Sequence, residues 1–136
     1  MEADKQTDLE KDYKIPNPTK FVTKDSGKRQ EYSSGMKRDL QDGKPMFDLC
    51  NPLGCPKEAN MYYRWAMLME RGMTKYGYRN WELANSKDEL IRFKQSAARH
   101  FQQWLNGWDS EEDHAAAVFF NIQAFEWLRN KLENTK

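Results

Sequence analysis

The chain has 136 residues, a net charge of +1 at pH 7 and a mean hydropathy of −1.04. This length accommodates one domain, and the near-zero net charge argues against a strongly basic scaffold for extended nucleic acid. No apolar run approaches the roughly 20 residues that cross a bilayer, and the charged N-terminus lacks the apolar segment of a secretory signal. We therefore expect a cytoplasmic protein that binds no membrane, with Cys50 and Cys55 as reduced thiols.

The N-terminal residues 1–24 mix charged residues, Thr and Pro with little apolar content. Because Pro16 and Pro18 oppose a helix, this segment is predicted to be a flexible arm. The remaining residues, 25–136, are predicted to form a single helical domain.

Residues 25–56 are rich in glycine and arginine, and no helical or strand period persists in them. A plain linker rarely contains charged residues such as Arg29, Arg38 and Lys44 among its glycines. We therefore predict an ordered, irregular segment packed over the helical domain. Disorder of this segment is the alternative.

The first helix is predicted to begin just after Pro56 and to run to about Lys75, with Gly77 as its stop. Its apolar residues form two neighbouring stripes: Met61, Trp65, Leu68 and Gly72, and then Tyr62, Ala66, Met69 and Met73. A face this broad is predicted to be buried.

A capping box, Ser86-x-x-Glu89, predicts a second helix that continues to about Leu105. Its inward residues are expected to be Leu90, Phe93, Ala97, Phe101 and Trp104. A polar stripe on the same helix either lines a cleft or faces water; it consists of Arg92, Ser96, Arg99 and Gln103.

A third helix is predicted to open with the acidic run 109–113, which suits the positive end of a helix dipole, and to continue to about Lys131. Its apolar seam is Val118, Ile122, Phe125 and Leu132. The predicted fold class is therefore all-α, a small helical bundle of three main helices. With so few long helices, we expect a homo-oligomer that completes a larger bundle.

The connector between the first two helices concentrates cations, an amide, a carboxylate and aromatic rings in the sequence Lys75-Tyr76-Gly77-Tyr78-Arg79-Asn80-Trp81-Glu82. Loops on rigid scaffolds often carry binding residues, so we predict that this connector holds a phosphorylated, ring-containing ligand. The alternative is that its rings only close the end of the helical core.

The two histidines are a second candidate. Antiparallel packing of the second and third helices would bring His100 close to His114 and to the acidic run before it. Within that run Asp109 and Glu112 are i, i+3 neighbours, and carboxylates can bind Mg²⁺ while leaving positions open for phosphate oxygens. Core or capping roles are the alternative for these residues.

Several short motifs occur in a recurring order: Asp25-Ser26-Gly27-Lys28-Arg29, Gly35-Met36-Lys37-Arg38-Asp39, Gly43-Lys44, Phe47-Asp48-Leu49, Lys75-Tyr76-Gly77, Arg79-Asn80-Trp81-Glu82, Ser96-Ala97-Ala98-Arg99-His100 and Asp113-His114. This arrangement resembles the dATP/dGTP diphosphohydrolase N-terminal-domain family, found largely in tailed bacteriophages and related mobile elements. The resemblance covers roughly residues 25–130.

The resemblance implies an all-α nucleotide pyrophosphohydrolase related to the MazG-like enzymes. Such an enzyme uses Mg²⁺, with Mn²⁺ as a possible substitute, to hydrolyse purine deoxynucleoside triphosphates to the monophosphate and pyrophosphate, which would adjust a phage nucleotide pool. The implied substrate-binding residues are Arg29, Arg38, Lys44, Lys75, Tyr76, Arg79, Asn80, Trp81 and Arg99. The implied catalytic residues are Glu82, His100, Asp113 and His114, and the implied metal ligands are Glu82, Asp109, Glu112 and Asp113.

One departure from the MazG-like pattern concerns its carboxylates. Those enzymes typically carry Glu-x-x-Glu on one helix and Glu-x-x-Asp on another. Here the second helix has no carboxylate after Glu89, and Glu70 has no acidic neighbour three residues away. A non-catalytic protein that binds or sequesters nucleotides is therefore the alternative function.

Overall fold

The computed structural model describes residues 21–135, so the predicted flexible arm at 1–24 lies almost entirely outside the described residues. The regular elements are β1 (Arg29–Glu31), β2 (Lys37–Asp39), α1 (Met61–Tyr76), α2 (Lys87–Asn106) and α3 (His114–Asn134). Short 3₁₀ turns lie at Phe47–Cys50, Lys57–Ala59 and Asn80–Leu83. The predicted all-α bundle of three main helices is confirmed. None of the helices in this part of the chain has the length and apolar character that crossing a bilayer requires.

The start of α1 lies later than predicted because Asn60 caps it. The Asn60 side chain accepts hydrogen bonds from the backbone N–H groups of Tyr62 and Tyr63, while the residues after Pro56 form a separate 3₁₀ turn. An N-cap residue has extended backbone angles, so the helix cannot continue through it toward its N-terminus. Gly77 ends the helix as predicted, with a φ of 107°.

Both ends of α2 follow the local signals in the sequence. The Ser86 hydroxyl accepts a hydrogen bond from the Glu89 N–H, and the Glu89 carboxylate accepts from the N–H of Asn85 and the hydroxyl of Ser86. At the other end Gly107 has a φ of 68°, and its N–H bonds to carbonyls of the last turn of the helix. That left-handed conformation favours glycine, so the helix ends there.

The prediction that α3 opens with the acidic run is wrong. Asp109 has a positive φ of 50°, and the residues up to Glu112 form a turn. Asp113 is the N-cap, and its carboxylate accepts a hydrogen bond from the Ala116 N–H. Only the last acidic residue of the run therefore interacts with the helix end, because the chain needs the preceding residues to reverse direction after α2.

The core is small and centres on α3. Its fully or almost fully buried apolar residues include Ala116, Ala117, Ala124 and Leu128. The ring of Phe93 on α2 lies 6.3 Å from that of Phe120 on α3, which together with the meeting of the two histidines shows that these helices run antiparallel. Small side chains along α3 let its neighbours approach closely.

Several residues predicted to be inward are exposed. Trp104, Phe101 and Ile122 have 55%, 44% and 52% of their surface accessible. The apolar face of α1 is only half-buried, and α1 contains no fully buried residue. The physical reason is that α2 packs mainly on α3, so its other faces stay open. In addition, two neighbours do not cover every side of α3, and α1 stands beside an open cleft.

The segment 25–56 contains a hairpin that periodicity did not indicate. Its strands pair in antiparallel register, Arg29 with Asp39 and Glu31 with Lys37. Three-residue strands are too short to show alternation, which is why the sequence pattern missed them. The Asp39 carboxylate also accepts hydrogen bonds from Ser26, so the segment is ordered largely by its own polar contacts.

Candidate functional site

A cleft of about 1240 Å³ lies between α1, the connector that follows it, and parts of α2 and α3. It is larger than most small-molecule sites, which hold roughly 300–1,000 Å³, so a nucleoside triphosphate has room in it. Apolar and aromatic residues lining it include Trp65, Leu68, Met69, Met73, Tyr76, Tyr78, Trp81, Phe93 and Phe120. Its cationic lining residues are Arg71, Lys75, Arg79 and Arg92.

The connector residues that the sequence singled out converge on this cleft. Lys75, Tyr76, Arg79, Asn80 and Trp81 all line it. Arg79 has a left-handed backbone with a φ of 55°, and its guanidinium pairs with the Glu82 carboxylate. The Arg79 guanidinium also lies 5.6 Å from the Tyr78 ring centroid. Its charge is therefore already partly compensated within the connector.

Trp81 both packs and lines the cleft, so the two predicted roles of the connector rings are not exclusive. Its ring meets Phe120 and Trp127 edge-on, with centroids 5.6 Å and 5.0 Å away. The Lys131 ammonium donates hydrogen bonds to the carbonyl oxygens of Ala84, at 2.7 Å, and Glu82, at 3.3 Å. These contacts fix the connector against α3, which gives the cleft a rigid end.

His100 and His114 meet at the other end of the α2–α3 pair, as predicted. Their Nδ1 atoms are 2.9 Å apart, and His114 Nε2 is 2.7 Å from the Asp109 carbonyl oxygen. At the far side Arg99 Nη2 is 3.3 Å from His100 Nε2. The chain of contacts therefore runs from a guanidinium through two imidazoles to a backbone carbonyl.

Only one pair of neutral tautomers satisfies all three contacts. A guanidinium only donates, so His100 Nε2 accepts and His100 carries its proton on Nδ1. A carbonyl only accepts, so His114 Nε2 donates and His114 Nδ1 is free to accept from His100. Starting from Arg99 or from the Asp109 carbonyl gives the same direction for the hydrogen bond between the two histidines. The lone pairs of His100 Nε2 and His114 Nδ1 are then both occupied, so neither imidazole has a free nitrogen that could accept a proton.

The surroundings of His100 also favour its neutral form. Burial lowers the pKa of His100, and the positive charge of Arg99 lowers it further, while Glu112 opposes these effects. His114 is 5% exposed. Neither histidine lines the cleft, so in this arrangement the pair joins two helix ends, and the predicted catalytic role of each remains a prediction.

Asp113 is engaged in a two-point ion pair that the sequence did not indicate. Arg64 Nη2 and Nε donate to its two carboxylate oxygens at 2.6 Å and 2.8 Å, across 49 positions of sequence. This guanidinium lowers the pKa of Asp113. Since Asp113 also caps α3, the pair ties α1 to the start of α3.

The predicted phosphate-binding cations of the N-terminal segment are not brought to the cleft. Arg29, Arg38 and Lys44 are absent from its lining residues. Arg29 pairs with Asp25 at 2.7 Å, and Lys44 lies 3.6 Å from Asp39. Both cations therefore interact with carboxylates of their own segment. Arg99, a further predicted substrate-binding residue, contacts His100 at the other end of the bundle.

The predicted metal ligands do not converge in the described part of the chain. Glu82 pairs with Arg79, Asp113 with Arg64, and the Asp109 carboxylate accepts from Gln103 at 3.0 Å. Among residues 21–135 no group of three His, Cys, Asp or Glu side chains is placed to hold a metal ion. These residues therefore do not fit a resident metal centre, and the assignment of metal ligands stays a prediction.

Comparison with known proteins bears on this site. A family model described as dATP/dGTP diphosphohydrolase, N-terminal, matches residues 34–136. The chain belongs to this family. The resemblance inferred from the sequence motifs is thereby confirmed, and the matched region includes all three helices and the cleft. No match was found among curated proteins, and none among solved structures.

In this member of the diphosphohydrolase N-terminal family the cleft contains residues that sequence reasoning did not single out. Arg71 comes from α1, and Gln123 from α3. Glu70, which the sequence offered only as an isolated carboxylate, lies beside Arg71 in the lining. Arg92 belongs to the polar stripe of α2, for which the sequence left open whether it lines a cleft or faces water. In the structure Arg92 lines the cleft. For Arg71 no sequence signal was available, since a cation on a helix surface is usually a solvated residue.

Proposed function

We propose that the chain binds a purine deoxynucleoside triphosphate in the cleft and hydrolyses it to the monophosphate and pyrophosphate. The observation that carries the proposal is the joint lining of one cleft by aromatic rings, cations and the amide of Asn80 in a chain of the dATP/dGTP diphosphohydrolase N-terminal family. Few ligands other than nucleotides offer a flat ring at one end and several negative charges at the other.

Different residues of the cleft suit the base, the sugar and the phosphates of a nucleotide. The rings provide stacking and apolar contact for a purine, and the Asn80 amide can both donate to and accept from base or sugar atoms. The cations offset the charge of the phosphates.

Magnesium enters this proposal as part of the substrate. Mg²⁺ in nucleotide sites is commonly held by one or two carboxylates together with phosphate oxygens, so a preformed protein cage is not required. Glu70 is an exposed carboxylate of the cleft wall, whereas Glu89 is occupied by the α2 cap. A carboxylate beside phosphates is unfavourable unless a divalent cation lies between them. Glu70 therefore supports a Mg–dNTP or Mn–dNTP substrate.

The decisive experiment follows each dNTP with the purified protein and Mg²⁺, with and without EDTA, resolving nucleotides and pyrophosphate by ion-exchange chromatography. We expect a purine dNTP to be converted to its monophosphate and the conversion to stop with EDTA. Loss of turnover in Glu82→Gln and Asp113→Asn, in variants that keep their fold, would support the catalytic roles that the resemblance implies for these two carboxylates, which are held in ion pairs outside the cleft lining. Glu126→Gln is a matched control, because Glu126 pairs with Arg129 at i, i+3 as Glu82 does with Arg79. Unchanged pyrophosphate release in both site variants would exclude them as catalytic residues.

A separate test locates the binding site without disturbing the fold. Gly72 lies within α1 and lines the cleft, and a Cβ added there meets no atom within 4 Å. Gly72→Ala should raise the free energy of unfolding by roughly 0.5–1 kcal/mol, because glycine is unfavourable inside a helix. Gly72→Leu should fill part of the cleft and weaken nucleotide binding. A folded Gly72→Leu variant that binds the nucleotide with unchanged affinity would show that the binding site lies elsewhere.

The alternative function is nucleotide binding without catalysis. It is favoured by the lack of a three-ligand metal group among residues 21–135. Tight binding of a dNTP with no monophosphate or pyrophosphate formed, with either Mg²⁺ or Mn²⁺ present, would establish this alternative. In a phage-infected cell either activity would alter the purine deoxynucleotide pool of the host cytoplasm, which is where we propose that the protein acts.

We further propose that the protein works as a homo-oligomer. Ile91, Ala98, Phe101 and Leu105 recur at i, i+7, i+10 and i+14, so they share one face of α2. Ile91 and Leu105 are 50% and 59% exposed, and Ile122 on α3 is 52% exposed. Apolar side chains left this open on helices favour burial against a second copy. Light scattering should give more than one chain per particle, and Phe101→Glu should give monomers; a monomeric wild type at high micromolar concentration would exclude this arrangement.

A further inference from the structure

The four cations that line the cleft differ in what they contact. Arg79 pairs with Glu82 and lies over the Tyr78 ring. Lys75 lies over the Tyr76 ring, with its ammonium 5.0 Å from the centroid. Arg71 and Arg92 make no ion pair with any carboxylate in the described part of the chain. Lys75 makes none there either, but its ammonium already lies over a ring. Arg71 acts on Asp113 only from a distance, where it helps to lower the pKa of that carboxyl. Arg71 and Arg92 are therefore the two guanidinium groups of the cleft that have no ion-pair partner among residues 21–135, and both lie outside the connector that the sequence favoured.

Arg71 and Arg92 are contributed by different walls of the cleft. Arg71 lies in the third turn of α1, and Arg92 in the second turn of α2. Phe93 and Phe120, whose rings contact each other, line the cleft together with them. Two guanidinium groups are thus presented to one ring-lined space from two helices that the connector holds in place.

The fixed donor fork of a guanidinium suits two oxygens of one phosphate, and such charge-assisted bonds are about twice as strong as neutral ones. A cation without a carboxylate partner gains more from a phosphate than one that must first give up its partner. Arg79 would have to release Glu82 to do the same. Charge and geometry therefore both favour Arg71 and Arg92 over Arg79 as phosphate ligands.

We propose that Arg71 and Arg92 form a phosphate clamp that holds the polyphosphate of the nucleotide from two walls of the cleft, while Arg79 orders the connector through Glu82. This inference rests on the proposed function, since it assigns the phosphate subsite of the same cleft. It predicts that the cleft distinguishes ligands by their number of phosphates and that this discrimination depends on both arginines.

The test compares three ligands in the presence of Mg²⁺: the α,β-imido analogue of dATP, which resists hydrolysis at the bond in question, dAMP and deoxyadenosine. Dissociation constants are measured by calorimetry for the wild type, Arg71→Ala, Arg92→Ala and the double variant. Arg129→Ala is the control, because Arg129 is also an exposed helix arginine and lies outside the cleft lining. Thermal unfolding of each variant checks the fold, and Arg71→Lys and Arg92→Lys test whether charge alone suffices.

We expect each alanine variant to bind the triphosphate analogue about 10-fold more weakly, the loss of one charge-assisted contact, while deoxyadenosine binding changes little. The lysine variants should recover part of the loss. If the wild type binds the triphosphate analogue more tightly than dAMP and deoxyadenosine, and the alanine variants keep that preference, the clamp is overturned and the proposed function stays intact. A wild type that binds none of the three ligands would overturn both.

Discussion

The histidine pair gives a prediction that can be worked out from its hydrogen bonds. Replacing His114 with phenylalanine keeps a ring of similar size but removes both of its hydrogen-bonding nitrogens. The His100 Nδ1–H, now 2.9 Å from His114 Nδ1, loses its acceptor, and the Asp109 carbonyl loses its donor at 2.7 Å. The connection between the end of α2 and the start of α3 then depends on apolar contact alone.

The size of the effect follows from the two groups left without partners. A buried polar group without a partner costs about 1–3 kcal/mol. Asp109 is exposed and His100 is half-buried, so water compensates part of this cost. We therefore expect His114→Phe to lower the free energy of unfolding by about 2 kcal/mol at pH 7.5. With a denaturant slope of roughly 2 kcal/mol per molar urea, the unfolding midpoint falls by about 1 M.

The pH dependence provides an independent part of the same prediction. The pKa of His100 is lowered in the folded state from its ordinary value of 6.5, chiefly by burial and next by Arg99. As the pH falls, the unfolded chain therefore binds a proton at His100 before the folded chain does. The contribution of His100 to the free energy of unfolding is fully present above about pH 6.5, and it falls as the pH drops below that value, by at most about 1.4 kcal/mol per pH unit. The chain has only two histidines, so few other side chains titrate between pH 5.5 and 7.5.

The assay is urea unfolding at several pH values between 5.5 and 7.5, followed by circular dichroism. His100→Asn keeps an amide donor close to the Nδ1 position but cannot bind a proton, so its stability should depend less on pH than that of the wild type. Nitrogen-15 NMR should place the proton of His100 on Nδ1 and that of His114 on Nε2 at pH 7.5. The opposite tautomers, or a double-mutant cycle with no coupling between the two residues, would refute the reasoning.

Three further predictions concern the bundle. Arg64→Ala should lower the free energy of unfolding by about 1–2 kcal/mol at pH 7, because it leaves Asp113 without its partly buried partner. The ion pair lowers the pKa of Asp113 in the folded state, so the difference from the wild type should shrink as the pH falls below about 4, where this carboxylate begins to be protonated in the unfolded chain; equal stability of both proteins at pH 7 would contradict this. Gly107→Ala should cost about 1 kcal/mol in thermal or urea unfolding, because the φ of 68° is unfavourable for a residue with a Cβ. Lys131→Met should loosen the connector by removing the donor to Ala84, seen as faster amide exchange there, whereas unchanged exchange would show that ring packing alone fixes it.

The parts of the fold that were predicted from the sequence depend on nearby residues. Ser86 and Glu89 are three positions apart and form the predicted cap, and Gly77 and Gly107 end their helices. In the candidate site, Lys75 to Trp81 converge on the cleft because they are consecutive in one connector. The meeting of His100 and His114 was also predictable, since two helices joined by a short turn pack antiparallel and bring these ends together.

Other features depend on partners that are distant in sequence. Asp113 was predicted as a metal ligand from its residue type, and only the structure shows that Arg64, 49 positions away, pairs with its carboxylate. Arg29 of the hairpin was predicted as a phosphate ligand, and whether its charge meets the cleft depends on where the whole segment lies, which no local pattern indicates. Residue type alone does not show whether a charge is already paired.

By itself, the sequence determined the three helices, the cap of α2, the glycines that end α1 and α2, the family, and the connector whose rings and cations line the cleft. Only the tertiary structure decided which cations of that cleft have ion-pair partners, that the histidines lie outside it, and that apolar positions such as Phe101 and Ile122 remain exposed. The physical reason is a difference in range. Caps and turns are set by hydrogen bonds between residues a few positions apart, whereas the pairing and burial of a side chain depend on which other helix reaches it.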